Sequence, residues 1–308
     1  MATALPVPPR PRMGTARRIA SRGRGYGSLG VALLLLVLAL VVLFPFYDLV
    51  IVSLGSPPGT IIPTGFTFAA YTYLLGQGEA LRAFLVSVGV TLVGTTLNVL
   101  LTVITAWPLS RRYLPGRSVL LGLIVFTMLF SGGLIPWYLV IKNLGLIDSY
   151  AVMILPWAMN AFYMIVMLAF FRTFPIELEE AARIDGANDL VILTRIVLPT
   201  STPVIAAIGL FYAVDRWNDW WTPFLFINDP QKWPLQLYTK QLLINASQVL
   251  GQSSGGTGAA GVIQGQLPVL PEALQMAVIV IGIVPIMLIY PFIQKYFAKG
   301  VMIGSLKG

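Results

Sequence analysis

Long apolar runs separated by short polar breaks dominate the chain. A helix needs about 20 apolar residues to cross the hydrocarbon core of a bilayer. Six runs meet that length: Leu29 to about Val52, then about 84–107, 119–141, 150–171, 201–227 and 273–294. The segments 53–82 and 228–272 are rich in Gly, Pro and Ser and read as loops, with Gly251 to Gly261 a flexible tract. The most charged break is 173–199. The pattern predicts an all-α membrane protein of six transmembrane helices in one domain, 29–308, behind a basic, disordered arm, 1–28. The first apolar run is longer than the core of a secretion signal and lacks a small-residue cleavage site, so it reads as an uncleaved span.

Composition narrows the chemistry. Of 308 residues 57% are hydrophobic and 10% charged, far from the roughly 25% charged residues of a soluble domain. There is no Cys and no His. Disulfides, thiol nucleophiles, Ser-His triads and His- or Cys-based zinc sites are therefore excluded, and no metal site is expected. The net charge of +8 does not indicate nucleic acid, because the basic residues are scattered among apolar spans and form no single basic face.

Those basic residues set the orientation instead, since Lys and Arg concentrate in cytoplasmic loops. With the amino terminus inside, the inner segments hold six arginines of the arm, then Arg111, Arg112, Arg117, Arg172, Arg183, Arg195, Lys295, Lys299 and Lys307: fifteen of the twenty basic residues. The outer segments hold Arg82, Lys142, Lys232 and Lys240, and Arg216 lies within a span. Both termini and the charged break 173–199 are thus expected in the cytoplasm.

Within that break, Pro175 suits a first helical turn and the following glutamates, Glu177, Glu179 and Glu180, suit the positive end of a helix dipole. Ala181 and Ala182 give small positions, Asp185-Gly186 a turn, and Asn188 an N-cap for a second helix toward Pro199. A solvated connector would account for these features as well as a docking element would. The spacing is more specific: Glu180-Ala181-Ala182, three residues, Gly186, nine residues, Ile196, one residue, Leu198-Pro199. It resembles at every fixed position the EAA signature of importer-type ABC permeases. The resemblance implies that Glu180, Ala181, Ala182, Asp185 and Gly186 belong to a coupling loop, 173–199, that docks in a groove of an ATPase subunit, with no room for bulk at Ala181 or Gly186.

Three places depart from a plain apolar span. In Phe130-Ser131-Gly132-Gly133-Leu134-Ile135-Pro136, two glycines and a proline break the third helix, either as a structural kink near the outer surface or as a pathway wall. In the fifth span, Asp215-Arg216-Trp217-Asn218-Asp219-Trp220-Trp221 puts charges where they need a cavity or a partner. Arg216 and Asp219, three apart, suit an ion pair on one face. The segment reads either as an outer interfacial belt or as a lining in which indole faces meet sugar C–H faces while Asn218 and Asp219 meet hydroxyls. The third place is the basic, Gly-rich carboxyl end, Tyr290 to Gly308.

These features resemble the carbohydrate branch of the same permeases: the fifth helix with Trp-Asn, Phe130 to Pro136, and the terminus Gly304-Ser305-Leu306-Lys307-Gly308. The likeness extends over roughly 29–308 and leaves out the arm. It implies a type I ABC importer permease fold in a bacterial inner membrane. It implies passage of a sugar or oligosaccharide handed over by an extracytoplasmic binding protein, with Trp217, Asn218, Asp219, Trp220, Trp221, Gly132 and Gly133 along the path. The sequence contains no G-x-x-x-x-G-K-[ST] run, so ATP and Mg belong to two partner ATPase subunits. Six spans make half a pore, so a second, homologous permease is expected to complete it, and no cofactor is expected on this chain. Two rivals remain: a permease for a non-sugar solute, and an ion-coupled secondary transporter using Asp48 or Asp215 and Asp219.

Overall fold

The computed structural model describes residues 24–60, 62–63, 65–76, 78–253 and 272–288. Most of the basic arm, the tract after Ser253 and the carboxyl end from residue 289 lie outside the described residues. The chain divides into two units, Met1–Leu49 and Val50–Gly308. Helix α1, Arg24–Ser53, begins in the first and ends in the second. Its residues 30–53 have a mean hydropathy of 2.7 and are apolar on every side, the pattern of a helix whose surroundings are themselves apolar.

The second unit is helical, with no strand among the described residues. After α2, Ala69–Gly76, the long helix α3, Glu79–Ser110, forms its axis. Helices α6, Ala161–Arg172, and α9, Thr202–Asn218, pack along α3. Between α3 and α6 come α4, Arg117–Leu129, α5, Leu134–Asn143, and two 3-10 turns, Tyr150–Met153 and Leu155–Trp157. Helices α7, Ile176–Ile184, and α8, Asp189–Thr200, precede α9. They are followed by α10, Trp221–Phe226, α11, Leu235–Ser253, and α12, Glu272–Leu288.

Among the described residues two helices, α1 and α3, are long and apolar enough to cross a membrane unbroken, and three bent pairs pass the same measure when each is taken as one span. The third predicted span turns by 115° between α4 and α5. The break falls at Gly133, whose φ of 84° and ψ of 169° only glycine adopts without strain. Pro136 is in the first turn of α5, where a missing N–H costs nothing. The fourth bends by 48° where Asn160 caps α6 by accepting from the N–H groups of Phe162 and Tyr163.

The fifth span is shorter than its sequence suggests. It bends by 81° at Ser201, between α8 and α9. Pro199 and Pro203 remove two ladder donors four residues apart, and the Thr202 hydroxyl donates to the freed Pro199 carbonyl. At its other end the helix stops at Asn218 rather than continuing to 227, and α10 starts afresh. The described part of the sixth predicted span is α12, 17 residues; its remainder lies beyond 288. The outer segment 228–272 is not loop throughout, because α11 occupies 235–253 with Leu235 and Leu237 buried.

Three buried clusters hold the second unit together. One joins α3, α6, α7, α8 and α9 through Trp107, Met164, Met167, Phe171, Ala182, Ile192, Val197 and Tyr212. A second gathers Leu74, Ala83, Trp217, Leu235 and Ala277, and a third gathers Ile141, Met153 and Phe226. The outward faces are apolar too: Leu92, Leu100, Ile104, Leu123 and Phe126 are all exposed. Such a surface is stable only against lipid or a partner helix.

Candidate functional site

Two regions bring polar chemistry together. The first lies where α3 and α6 end and α4 begins. Arg111, just beyond the last turn of α3, forms an ion pair with Glu179 of α7, and both side chains are buried. The Arg111 guanidinium also lies over the Trp107 ring, 3.7 Å from its centroid. Burial raises the Glu179 carboxyl and lowers the Arg111 guanidinium from their usual ranges, and each is drawn back by the other's charge. A guanidinium does not lose its proton in proteins, so Arg111 keeps its charge in this site. Arg183 of α7 donates to the Tyr113 hydroxyl at 2.9 Å and to Asp189 of α8 at 2.8 Å. A cavity of about 560 Å³ opens beside these residues.

The local fold of 175–199 follows from its sequence. Pro175 takes the N-cap position of α7 rather than its first turn. Gly186 has φ 83°, and Asn188 caps α8 by accepting from the Val191 N–H. Ala181 and Ala182 do not share one face: Ala182 is buried in the first cluster while Ala181 is exposed. Glu180, Asp185 and Gly186 are exposed as well, and a Cβ on Gly186 would meet nothing within 4 Å. Ile184 and Leu190 stand 86% and 68% exposed, so this polar segment carries an apolar outer surface. The pattern of the sequence did not single out Glu179, Arg111 or Trp107. Arg111 counted there only as a loop cation, and no local spacing links residues 68 positions apart.

The second region surrounds the end of α9. A cavity of about 420 Å³ is lined by Trp157, Asn160, Asp215, Arg216, Asn218, Asp219, Trp220 and Trp221. Asp215 accepts from the Tyr163 hydroxyl at 2.9 Å. Asn218 donates to the Val214 carbonyl, and Asp219 accepts from the Thr222 N–H in the first turn of α10. The Lys240 ammonium of α11 lies 4.4 Å from the centre of the Trp220 ring. A neighbouring cavity of about 720 Å³ takes in Ser131, Gly132 and Gly133 and shares Trp157 and Trp221 with the first. The break of the third span and the end of the fifth therefore meet across two indoles.

Two expectations fail here. Arg216 and Asp219 make no ion pair; the Arg216 guanidinium donates instead to the carbonyls of Met153, at 2.8 Å, and Trp157, at 3.3 Å. Those carbonyls end 3-10 turns and have no ladder partner, so the buried guanidinium closes them. Gly94 of α3 makes this arrangement fit, since a Cβ there would stand 3.1 Å from Arg216 Cδ. Trp217 is not on the cavity wall. Its indole is buried against Phe84, edge to face, and its N–H donates to the Gly282 carbonyl at 2.9 Å. At 100° per residue, Trp217 and Asn218 cannot share a face, and packing against α12 takes the former.

Just beyond the end of α10, Asp148 holds two loops together, its N–H donating to the Phe226 carbonyl at 2.8 Å. It is the only non-glycine residue with positive φ among those described, at 59°. Its carboxylate accepts from the N–H groups of Asn228 and Asp229 and from Lys232 Nζ. The Asp229 and Lys232 bonds hold its carboxyl below the usual range.

Residues 98–303 match the family described as the binding-protein-dependent transport system inner membrane component. The chain belongs to that family. It is 46% identical to the polygalacturonan/rhamnogalacturonan transport system permease protein YtcP of Bacillus subtilis, over 89% of this chain and 96% of that protein. It is 47% identical to Protein LplC of the same organism, over 80% of this chain and 81% of that one. Among solved structures it is similar to a chain of a bacterial ABC transporter involved in import of the acidic polysaccharide alginate. The TM-score there is 0.80 at 30% identity, covering 91% of this chain and 99% of that chain. The helical permease fold and the membrane location follow from the family, and this chain is a transport component rather than an enzyme.

Proposed function

We propose that this permease passes a sugar or oligosaccharide through the bilayer, with a homologous second permease completing the pore. An extracytoplasmic binding protein delivers the substrate. Two ATPase subunits, which alone bind ATP and Mg, engage Glu180, Ala181, Asp185 and Gly186 from the cytoplasm. Six spans with both termini inside fit the distribution of Lys and Arg.

The observation that carries this reading is the cavity at the end of α9. Trp157, Trp220 and Trp221 offer indole faces to the C–H faces of sugar rings, and Asn160, Asn218, Asp215 and Asp219 offer acceptors and donors to hydroxyls. Arg216 and the nearby Lys240 add positive charge. Relatives at 46% and 30% identity are named for polygalacturonan and alginate, both polymers of sugar acids, so oligosaccharides bearing carboxylates are the favoured cargo. Ser131, Gly132 and Gly133 extend the same path through the adjoining cavity.

The α7 geometry supports such coupling. When the ATPases close, force on exposed Ile184 and Leu190 passes through α7 to Arg111 and the end of α3, along which α6 and α9 pack. The test is uptake by the complete complex reconstituted in vesicles, with oligogalacturonides and a neutral oligosaccharide as labelled substrates. ATP- and binding-protein-dependent uptake of the acidic substrate is expected. Uptake driven by an ion gradient without ATP would replace this reading with the secondary transporter, and uptake of neither sugar would leave a permease for another solute.

A further inference from the structure

The cavity beside the Arg111–Glu179 pair has more positive charge than its own fold uses. Five arginines line it, Arg111, Arg112, Arg117, Arg172 and Arg183, against Glu179 and Glu180. Glu179 is committed to Arg111, and Arg183 is held by Asp189 and Tyr113. Arg112 and Arg172 have no acceptor among the described residues. Arg117 and Arg172 are close enough to repel one another. Arg111 itself is more than nine-tenths buried, yet its Nε and Nη2 have no hydrogen-bond partner. Buried charged donors left unbonded are costly, so such a group is rarely without a hydrogen-bond partner.

We propose that this cavity binds a phosphate group. A phosphate offers several acceptor oxygens to the exposed, planar guanidinium groups of Arg112 and Arg172, the geometry that arginine recognises bidentately, beside the buried charge of Arg111. It also removes the mutual repulsion of Arg117 and Arg172. The open volume, about 560 Å³, exceeds that of a phosphate and leaves room for what the phosphate is attached to. The cavity lies where α3 and α6 end and α4 begins, which in a bilayer is headgroup depth. An anionic phospholipid is one source of the group and soluble phosphate the other. Because Arg111 belongs both to the cavity and to the pair with α7, an occupied site ties α7 to the ends of three spans.

The test measures binding directly and so stands apart from the transport reading. The full-length chain in phosphatidylcholine nanodiscs is titrated with phosphatidylglycerol in one arm and with inorganic phosphate in the other. Retained lipid is read by native mass spectrometry and soluble phosphate by equilibrium dialysis. Saturable binding of either probe is expected, and the arm that saturates identifies the source. In Arg112→Gln/Arg172→Gln, loss of two charge-assisted donors should weaken binding at least about tenfold. Arg112→Lys/Arg172→Lys, which keeps the charge but loses the planar fork, should bind more weakly than wild type and more tightly than the glutamine variant, and such graded binding shows that the loss in the glutamine variant is not misfolding. Saturation by neither probe, or equal binding by wild type and the glutamine variant, would overturn the proposal.

Discussion

Arg111 and Glu179 are 68 positions apart in sequence and form a buried ion pair between the end of α3 and the inner face of α7. Removing one partner leaves the other's charge largely buried and without its counter-ion. Glu179→Ala is therefore expected to destabilise the protein by about 3–5 kcal/mol. Glu179→Gln, which still accepts a hydrogen bond, should lose clearly less, and Arg111→Met/Glu179→Leu should recover much of the loss. Thermal unfolding in detergent ranks the three. A double variant no more stable than Glu179→Ala would show that the pair is not the source of the effect.

How much of this was legible in the sequence depends on the range of the interaction. Local signals read well: Gly186 in a left-handed turn, Asn188 capping α8 and Gly133 breaking the third span all follow from the residue and its neighbours. In the segment at the end of the fifth span, Asn218, Asp219, Trp220 and Trp221 line one cavity. What failed needed tertiary neighbours. The expected Arg216–Asp219 pair lost to carbonyls contributed by the fourth span, and the room for that arginine comes from Gly94, a residue unremarkable in an apolar run. Ala181 and Ala182 looked equivalent until α8 and α3 claimed one of them.

The different placement of the indoles yields an opposed pair of outcomes. Trp217 is core, so Trp217→Ala should cost about 3–5 kcal/mol and lower the amount of protein in the membrane. Trp220→Ala removes a cavity wall and leaves the α9–α12 packing intact, so normal levels with reduced uptake are expected. Quantitative immunoblotting beside initial uptake rates separates the two. Reversed behaviour would put Trp217 on the path.

Asp148 ties two loops with a carboxylate held below its usual pKa. A depressed folded-state value means that the ionised form is favoured by the fold. Its contribution is fully present above the ordinary carboxylate pKa and is lost as pH falls through the lowered one. The protection of the Asn228 and Asp229 amides, measured as exchange relative to the intrinsic rate at each pH, should fall on acidification through that window and remain flat above it. Asp148→Asn tolerates the left-handed backbone and keeps one acceptor, whereas Asp148→Ala loses both, so faster exchange is expected only in the alanine variant at neutral pH.

Gly186 offers the sharpest test of the proposed coupling. Its φ of 83° penalises any other L residue except, mildly, Asn, and a Cβ there would meet no atom of this chain. Gly186→Val thus carries two burdens, backbone strain of about 1–2 kcal/mol and bulk on an exposed surface. Gly186→Asn carries mainly the second. If the glycine serves only the turn, Asn should restore substrate-stimulated ATPase activity and co-purification of the ATPase subunits. If an ATPase groove closes over this point, both variants should insert at normal levels and both should lose coupling. The geometry favours the second outcome, because the space above Gly186 is open on this chain and exposed Ile184 flanks it, as a docking surface requires. Normal uptake in both variants would reduce α7 and α8 to a connector and remove the coupling role from the proposed function.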